Sequence, residues 1–177
     1  MTVAYLGLGS NVGARHDHLQ AAVDGFARAD EVRVEAVSPV YETEAHTVDP
    51  DEQRPLFLNA VLAVRGDCSP MRLLRLGQAL ERAEGRQRQK ERRWVPRPLD
   101  VDLLAVGQKT CRTDALTLPH PRIAERRFVL RPWADLAPNF VVPPPFDAPV
   151  CRLLTRCSDT AFLRRTDQTL SPGSVAG

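Results

Sequence analysis

No G-x-x-x-x-G-K-[ST] stretch occurs in the chain, which excludes a P-loop for nucleotide phosphates. A C-x-x-C pair is also missing. Cys68, Cys111, Cys151 and Cys157 are too scattered for zinc or dithiol redox motifs, so reduced thiols are expected. No apolar run approaches the roughly 20 residues of a membrane span, and "MTVAYLGLGSN" has neither the basic start nor the cleavage site of a secretory signal. A cytoplasmic protein with no membrane partner is the expectation. No internal repeat stands out, and a formal net charge of +2 points to no class of partner. With 177 residues, 43% hydrophobic and 26% charged, the chain is suited to one domain with a real core.

Local patterns carry more. "TVAYLGLG" is apolar on both faces, as in a buried strand, and Gly7 and Gly9 within it signal close approach of another backbone or a ligand. After the turn signal "SNVG", residues Leu19, Ala22, Val23, Phe26 and Ala27 fall on one face of a helix over about 16–29. "EVRVEAVS" alternates Val32, Val34 and Ala36 against Arg33 and Glu35, a half-exposed strand, and "LFLNAVLAV" over 56–64 is a more buried one. The polar stretch between them, with Pro50 and Pro55, reads as a long functional loop. Ser69 and Pro70 start a helix that runs through Leu73, Leu76 and Leu80 and stops at Gly85. "VVPPPFDAP" reads as a rigid linker or an edge segment. The order β-α-β-β-α-β over residues 2–105 predicts an α+β fold with a ferredoxin-like split βαβ core, an antiparallel-rich sheet with helices packed on it. The domain is expected over 1–165, with 166–177 as a flexible tail.

The chemistry concentrates in "RPLDVDLL", residues 97–104. Leu99, Val101, Leu103 and Leu104 predict a buried strand, yet Asp100 and Asp102 are types that strands disfavour. Residues two apart share a strand face, so both carboxylates project the same way. Buried without a cation, such a pair would raise at least one pKa. Mg²⁺ suits it, because that ion takes oxygen ligands and is often held by one or two carboxylates plus substrate phosphates. The plainer meaning of a bare D-x-D is an edge strand with a solvated acidic face. Just upstream, residues 81–97 hold seven basic side chains against three acidic ones. Arginine forks bind phosphate oxygens bidentately, although such a run is also the mark of a solvated basic surface. His120, Arg126 and Arg127 add donors from a second segment. Together these groups outline a polyphosphate pocket.

The stretches "LGLGSNVG", "FLNAV", "EGRQRQKERRWVPRPLDVDLL" and "LPHPRIAERRFVLRP" resemble the 6-hydroxymethyl-7,8-dihydropterin pyrophosphokinase family over about residues 1–140. That resemblance implies transfer of the terminal diphosphate of ATP to the hydroxymethyl oxygen of the pterin, with release of AMP, in folate biosynthesis. It implies that Asp100 and Asp102 ligate two Mg²⁺ ions, that Arg86 and Arg97 clamp the phosphates, and that Arg88 and Arg92 assist. Gln78, Glu81, Leu103, Thr117, His120 and Arg126 fall where the family contacts ATP. Phe57 and Phe128 match the aromatic pair that sandwiches the pterin, Asn59 and Thr43 match its polar contacts, and Trp94 would cover the site. Without the resemblance, Phe57 and Phe128 read equally as core and Trp94 as a loop anchor. The chain departs from the family's pattern over "EAHTVDPDE", residues 44–52. A monomer acting on ATP and hydroxymethyldihydropterin, with no nucleic-acid partner, is expected. The competing classes are a non-catalytic pterin- or nucleotide-binding paralogue and a nucleic-acid binder that stacks bases on Trp94.

Overall fold

The computed structural model describes residues 1–44, 56–85 and 97–172. The apolar run near the start forms β1 (Thr2–Ser10), buried from Ala4 onward. Gly13, at φ 68°, turns the chain into α1 (Arg15–Ala27). β2 (Val32–Val37) follows, then β3 (Tyr41–Thr43) and β4 (Phe57–Gly66). α2 (Pro70–Ala83) begins as expected, with the Ser69 hydroxyl accepting from Arg72 N at 3.2 Å and Pro70 in the first turn. The aspartate strand is β5 (Asp100–Val106). β6 (Cys111–Arg112) pairs with β7 (Thr117–Leu118), and α3 (Arg127–Leu136) comes next. β8 (Val141–Val142) pairs with β9 (Ala148–Pro149), and α4 (Val150–Arg156) and β10 (Leu163–Arg165) complete the order.

The main sheet is antiparallel throughout, in the order β10-β3-β4-β1-β5, with β2 also paired to β4. β4 is long enough to serve β1 along one edge and β2 and β3 in succession along the other. Leu6, Leu8, Leu58, Leu62 and Leu103 pack with Leu19, Val23 and Phe26 of α1 and Leu73 of α2. On the opposite face Tyr5, Val61 and Leu104 pack with Val129, Leu130 and Trp133 of α3 and with Val150 and Leu153 of α4. Helices therefore cover both faces of the expected ferredoxin-like sheet. Fully burying one such apolar side chain stabilises the fold by about 1.5–3 kcal/mol, which explains why strands covered on both sides read as continuous apolar runs.

Several details differ from the sequence expectation. β3 fell in the stretch read as a long loop, and β10 in a segment that gave no signal; with three residues each they are too short to show alternation. β2 alternates only as far as Val34, where a shift in its register against β4 leaves Ala36 exposed. The proline-rich segment 141–149 is no linker: its two short strands pair, and Val142 and Ala148 are buried. Nor do residues 166–171 form a free tail. Thr166 N donates to Val40 O at 2.9 Å, Ser171 N donates to Gln20 Oε1 at 3.3 Å, and Leu170 is buried in the core beside α1. The backbone of this segment satisfies its hydrogen bonds on the folded domain. Residues 173–177 of the same expected tail lie outside the described residues.

Gly77 sets how closely α2 approaches β5, since a Cβ there would stand 2.9 Å from Val101 Cγ1. Val101 is β-branched and buried in the core under α2, so its side chain has little freedom to retreat. Gly77→Ala gains about 1 kcal/mol of helix propensity but incurs overpacking of roughly 1–3 kcal/mol. The expected outcome is a lower urea midpoint at unchanged slope; a raised midpoint would show that α2 is free to shift on β5.

Candidate functional site

Opposed residues in an antiparallel pair project from the same face of a sheet. The register of β1 against β5 sets Gly9 opposite Asp100 and Gly7 opposite Asp102. On its other side β1 sets Gly9 opposite Asn59, and β4 in turn sets Phe57 opposite Thr43. Asp100, Asp102, Phe57, Asn59 and Thr43 thus share one face across four strands, with the two glycines between them. A Cβ at Gly9 would stand 3.0 Å from Asn59 Oδ1, 3.9 Å from Phe57 Cδ1 and 4.0 Å from Asp100 Cβ. Any side chain there would fill the gap between the carboxylates and the polar and aromatic groups of β4. The two glycines make a bare floor.

Each carboxylate meets a guanidinium. Arg97 Nη1 donates to Asp100 Oδ2 at 3.1 Å, and Arg126 Nη1 donates to Asp102 Oδ2 at 2.8 Å. Arg97 is held at the entry to β5 by Asn11, whose Oδ1 accepts from Arg97 N at 2.8 Å while its N donates to Arg97 O at 3.2 Å. Asp100 is 25% and Arg97 40% exposed, so solvent screens that pair, and such a pair contributes about 0–1 kcal/mol. Asp102 is 32% exposed, while Arg126 is more deeply set at 19%. Two hard oxygen donors on one face, together with phosphate oxygens, form a donor set that suits Mg²⁺. Among the described residues no group of three or more potential ligands gathers to form an all-protein metal cage.

His120 joins the same cluster from the segment after β7. Burial pushes its imidazole pKa down; Asp102 and Asp100 pull it up, and Arg126 and Arg122 push it down. His120 N donates to Leu104 O at 2.8 Å, and its Nδ1 accepts from Arg122 N at 3.2 Å. With Nδ1 accepting, the neutral ring carries its hydrogen on Nε2.

The other end of the floor is polar and aromatic. Asn59 Nδ2 donates to Thr43 Oγ1 at 2.7 Å, and both residues are buried. Phe128 lies in the first turn of α3, with the Arg126 guanidinium 5.8 Å from its ring centroid, a cation–π contact. Phe57 and Phe128 are both half-buried, and Phe128 packs in part against the core cluster under α3 and α4. Behind them Tyr41 donates to Asp135, and Arg131 donates to both Tyr41 and Asp135, locking α3 against β3. Asn11 and this Tyr41–Arg131–Asp135 network were not singled out from the sequence. The Asn of "GLGSN" and the i, i+4 spacing of Arg131 and Asp135 were the available signals.

Two further expected residues, Glu81 and Leu103, are turned to the other side of the sheet. Glu81 is buried on α2 with Oε1 accepting from Val101 N at 2.9 Å, so its carboxylate ties α2 to the aspartate strand. The Leu103 side chain is buried in the opposite core cluster and does not reach the carboxylate face. Gln78 is half-buried on α2, and Thr117 is half-buried on β7 opposite Arg112. Arg86, Arg88, Arg92 and Trp94 lie outside the described residues, as do residues 45–52 of the departure noted above. Removing the buried acceptor of Val101 N by Glu81→Ala should lower stability by roughly 1–3 kcal/mol. Glu81→Gln, which keeps an acceptor oxygen, should lose less. Urea unfolding of the two variants checks the order, and equal losses would refute the assigned hydrogen-bond role.

The sequence model of 7,8-dihydro-6-hydroxymethylpterin-pyrophosphokinase matches residues 5–138. The 2-amino-4-hydroxy-6-hydroxymethyldihydropteridine pyrophosphokinase of Pseudomonas aeruginosa is 41% identical over 139 residues, 78% of this chain and 83% of that protein. The same-named protein of Methylorubrum extorquens is 42% identical over 142 residues, 80% of this chain and 87% of that one. Among solved structures, wild-type Plasmodium falciparum HPPK-DHPS with pteroate superposes with a TM-score of 0.67 at 11% identity, over 88% of this chain and 44% of that one. The chain spans less than half the length of that protein, and the likeness is one of fold.

Proposed function

The chain belongs to the 7,8-dihydro-6-hydroxymethylpterin-pyrophosphokinase family, and on that premise we propose that it transfers diphosphate from ATP to 6-hydroxymethyl-7,8-dihydropterin. The observation that carries the reading is the shared face: Asp100 and Asp102 at one end, Asn59, Thr43 and Phe57 at the other, and a glycine floor between. A charged polyphosphate and a flat heteroaromatic ring need those two kinds of surface side by side. The hydroxymethyl oxygen attacks the β-phosphorus of ATP, the bond from that phosphorus to the α-phosphate oxygen breaks, AMP leaves, and the hydroxyl proton passes to solvent.

Asp100 and Asp102 would hold Mg²⁺, taken here as two ions, which when bound neutralises phosphate charge and supports the leaving AMP oxygen. Arg97 and Arg126, exchanged from their carboxylates onto phosphate oxygens, orient the chain of phosphates. The Nε2 hydrogen of His120 supplies a further donor beside Asp102. Arg86, Arg88 and Arg92 are assigned to the same phosphates by their matching positions, with Gln78, Glu81, Leu103 and Thr117 on the nucleotide side; the Leu103 contribution is then backbone only. Asn59 and Thr43 read the polar edge of the pterin, while Phe57, Phe128 and Trp94 take its faces. In this reading residues 1–165 form the one pyrophosphokinase domain, extended by 166–171, which pack on it. The protein is taken as a monomer, because one chain carries both halves of the site. The cytoplasm is the proposed compartment; four free cysteines suit reducing conditions. Among the described residues no helix is long and apolar enough to cross a membrane.

A coupled assay for AMP that requires both ATP and hydroxymethyldihydropterin tests the proposal. Asp100→Asn and Asp102→Asn should each reduce turnover on the order of 10²- to 10³-fold, the usual cost of losing one element of transition-state charge stabilisation. Full activity in either variant would remove the carboxylate pair from the mechanism, and no AMP from the wild type would leave the binding-only class standing. Arg97→Ala should lower kcat more than it raises KM for ATP, because its contact strengthens as charge moves toward the leaving group. A pure KM effect would assign Arg97 to ground-state binding alone.

A further inference from the structure

α1 begins with a cation in an unfavourable place for a helix. Arg15 is its first residue, where the partial positive charge of the N-terminus favours an anion, and Ala14 before it has no side-chain group to cap the helix. The guanidinium is taken up by the sheet instead: Arg15 Nη1 donates to Leu56 O at 2.5 Å, and Arg15 Nη2 donates to Glu42 Oε1 at 3.0 Å. Leu56 immediately precedes β4, and Glu42 is the middle residue of β3. The ladder between those two strands has only three rungs, Tyr41 with Asn59, Glu42 with Leu58 and Thr43 with Phe57. The last rung carries two of the groups at the pterin end of the floor. One guanidinium thus spans the end of the ladder, with a nitrogen on each strand.

Glu42 projects to the face opposite Thr43 and stands beside Leu58, which packs in the core under α1. Its side chain is only 13% exposed, and Arg164 Nη2 of β10 donates to its other oxygen at 2.7 Å, so two guanidinia share one mostly buried carboxylate. Breaking such an arrangement costs more than breaking an exposed pair. A short ladder opens from its ends unless the backbone groups there are tied, and an end rung free to move must be ordered by the ligand, at the expense of binding. We propose that Arg15, acting through Glu42 and the Leu56 carbonyl, is a positioning residue for the pterin, fixing from the back of the sheet the rung on which Thr43 and Phe57 stand. The inference rests on the pterin reading of Thr43 and Phe57 above and adds to it a residue that acts from the opposite face.

Arg15→Met keeps the aliphatic stem and removes both donors. It should raise KM for hydroxymethyldihydropterin by about three- to tenfold, the range for one or two groups that the ligand itself must immobilise. The Kd of the fluorescent oxidised analogue 6-hydroxymethylpterin, measured with Mg²⁺ and a non-hydrolysable ATP analogue present, should rise in parallel. KM for ATP should stay at the wild-type value, because other contacts hold the carboxylate end. Glu42→Gln, which leaves the bond to Leu56 O in place, should raise the two pterin constants by a smaller factor. Arg65→Met breaks the pair with Glu35 at the far end of β4 and, as the control for loss of an ion pair as such, should change none of them. If Arg15→Met binds and turns over the pterin as the wild type does, or loses ATP and pterin affinity to the same degree, the positioning role is overturned and the functional reading stands. An equal pterin defect in Arg65→Met overturns it as well. Should Arg15→Met fail to fold, Glu42→Gln decides alone: a defect confined to the pterin upholds the role, and wild-type pterin affinity ends it. A wild type that neither binds the pterin nor makes AMP removes the functional reading first, and the role falls with it.

Discussion

The site depends on how β1 sits between β4 and β5. Its antiparallel register puts Gly7 and Gly9 between the aspartates of β5 and the asparagine of β4. A slip of one residue would send every side chain on β1 to the other face, placing Leu6 and Leu8 on the floor and the glycines in the core under α1 and α2. The buried face excludes that slip, because Leu6 and Leu8 are both packed against the α1 and α2 side. Core packing and an open floor are thus two consequences of one register.

The charges follow a similar economy of parts. Asp100 sits beside Arg97 in a pair that solvent still screens, and Asp102 beside the more deeply set Arg126. A fully buried pair would be costly to separate, whereas a partly exposed pair leaves both partners close to a state in which cation and anion replace them. His120 is drawn the other way, its burial favouring the neutral ring, whose Nδ1 accepts from Arg122 N. The supporting contacts are more deeply set: the Glu81 carboxylate on Val101 N holds β5 from the α2 side, and Tyr41 with Arg131 and Asp135 holds α3 against β3. Exchangeable charges mounted on rigid elements are what a phosphate-transfer site requires.

Elements with long, regular patterns were legible in the chain alone. β1, α1, β4, α2 and β5 stand where apolar periodicity, the Ser69 and Pro70 start signal and the Gly85 stop place them. β3, β10 and the β8–β9 pair were not legible, because two or three residues carry no period and are strands only by virtue of a partner distant in sequence. The same reason hides Asn11 and the C-terminal anchoring of Leu170: each is defined by what lies opposite it in space. Glu81 and Leu103 illustrate the converse case, since matching positions in a motif do not say which face a side chain takes, and both side chains are buried.

By itself, then, the sequence determined that two carboxylates share a strand face next to an arginine-rich segment, because alternation along a strand is a local property of the backbone. It also determined the order of β1, α1, β2, β4, α2 and β5, and through its motifs the family. Only the tertiary structure decided that Asp100 meets Arg97 and Asp102 meets Arg126, that Asn59 reaches Thr43 across β4, and that residues 163–165 return to the edge of β3. Those contacts join segments whose separation along the chain carries no information about their distance. Strand register and the burial of apolar faces bring them together.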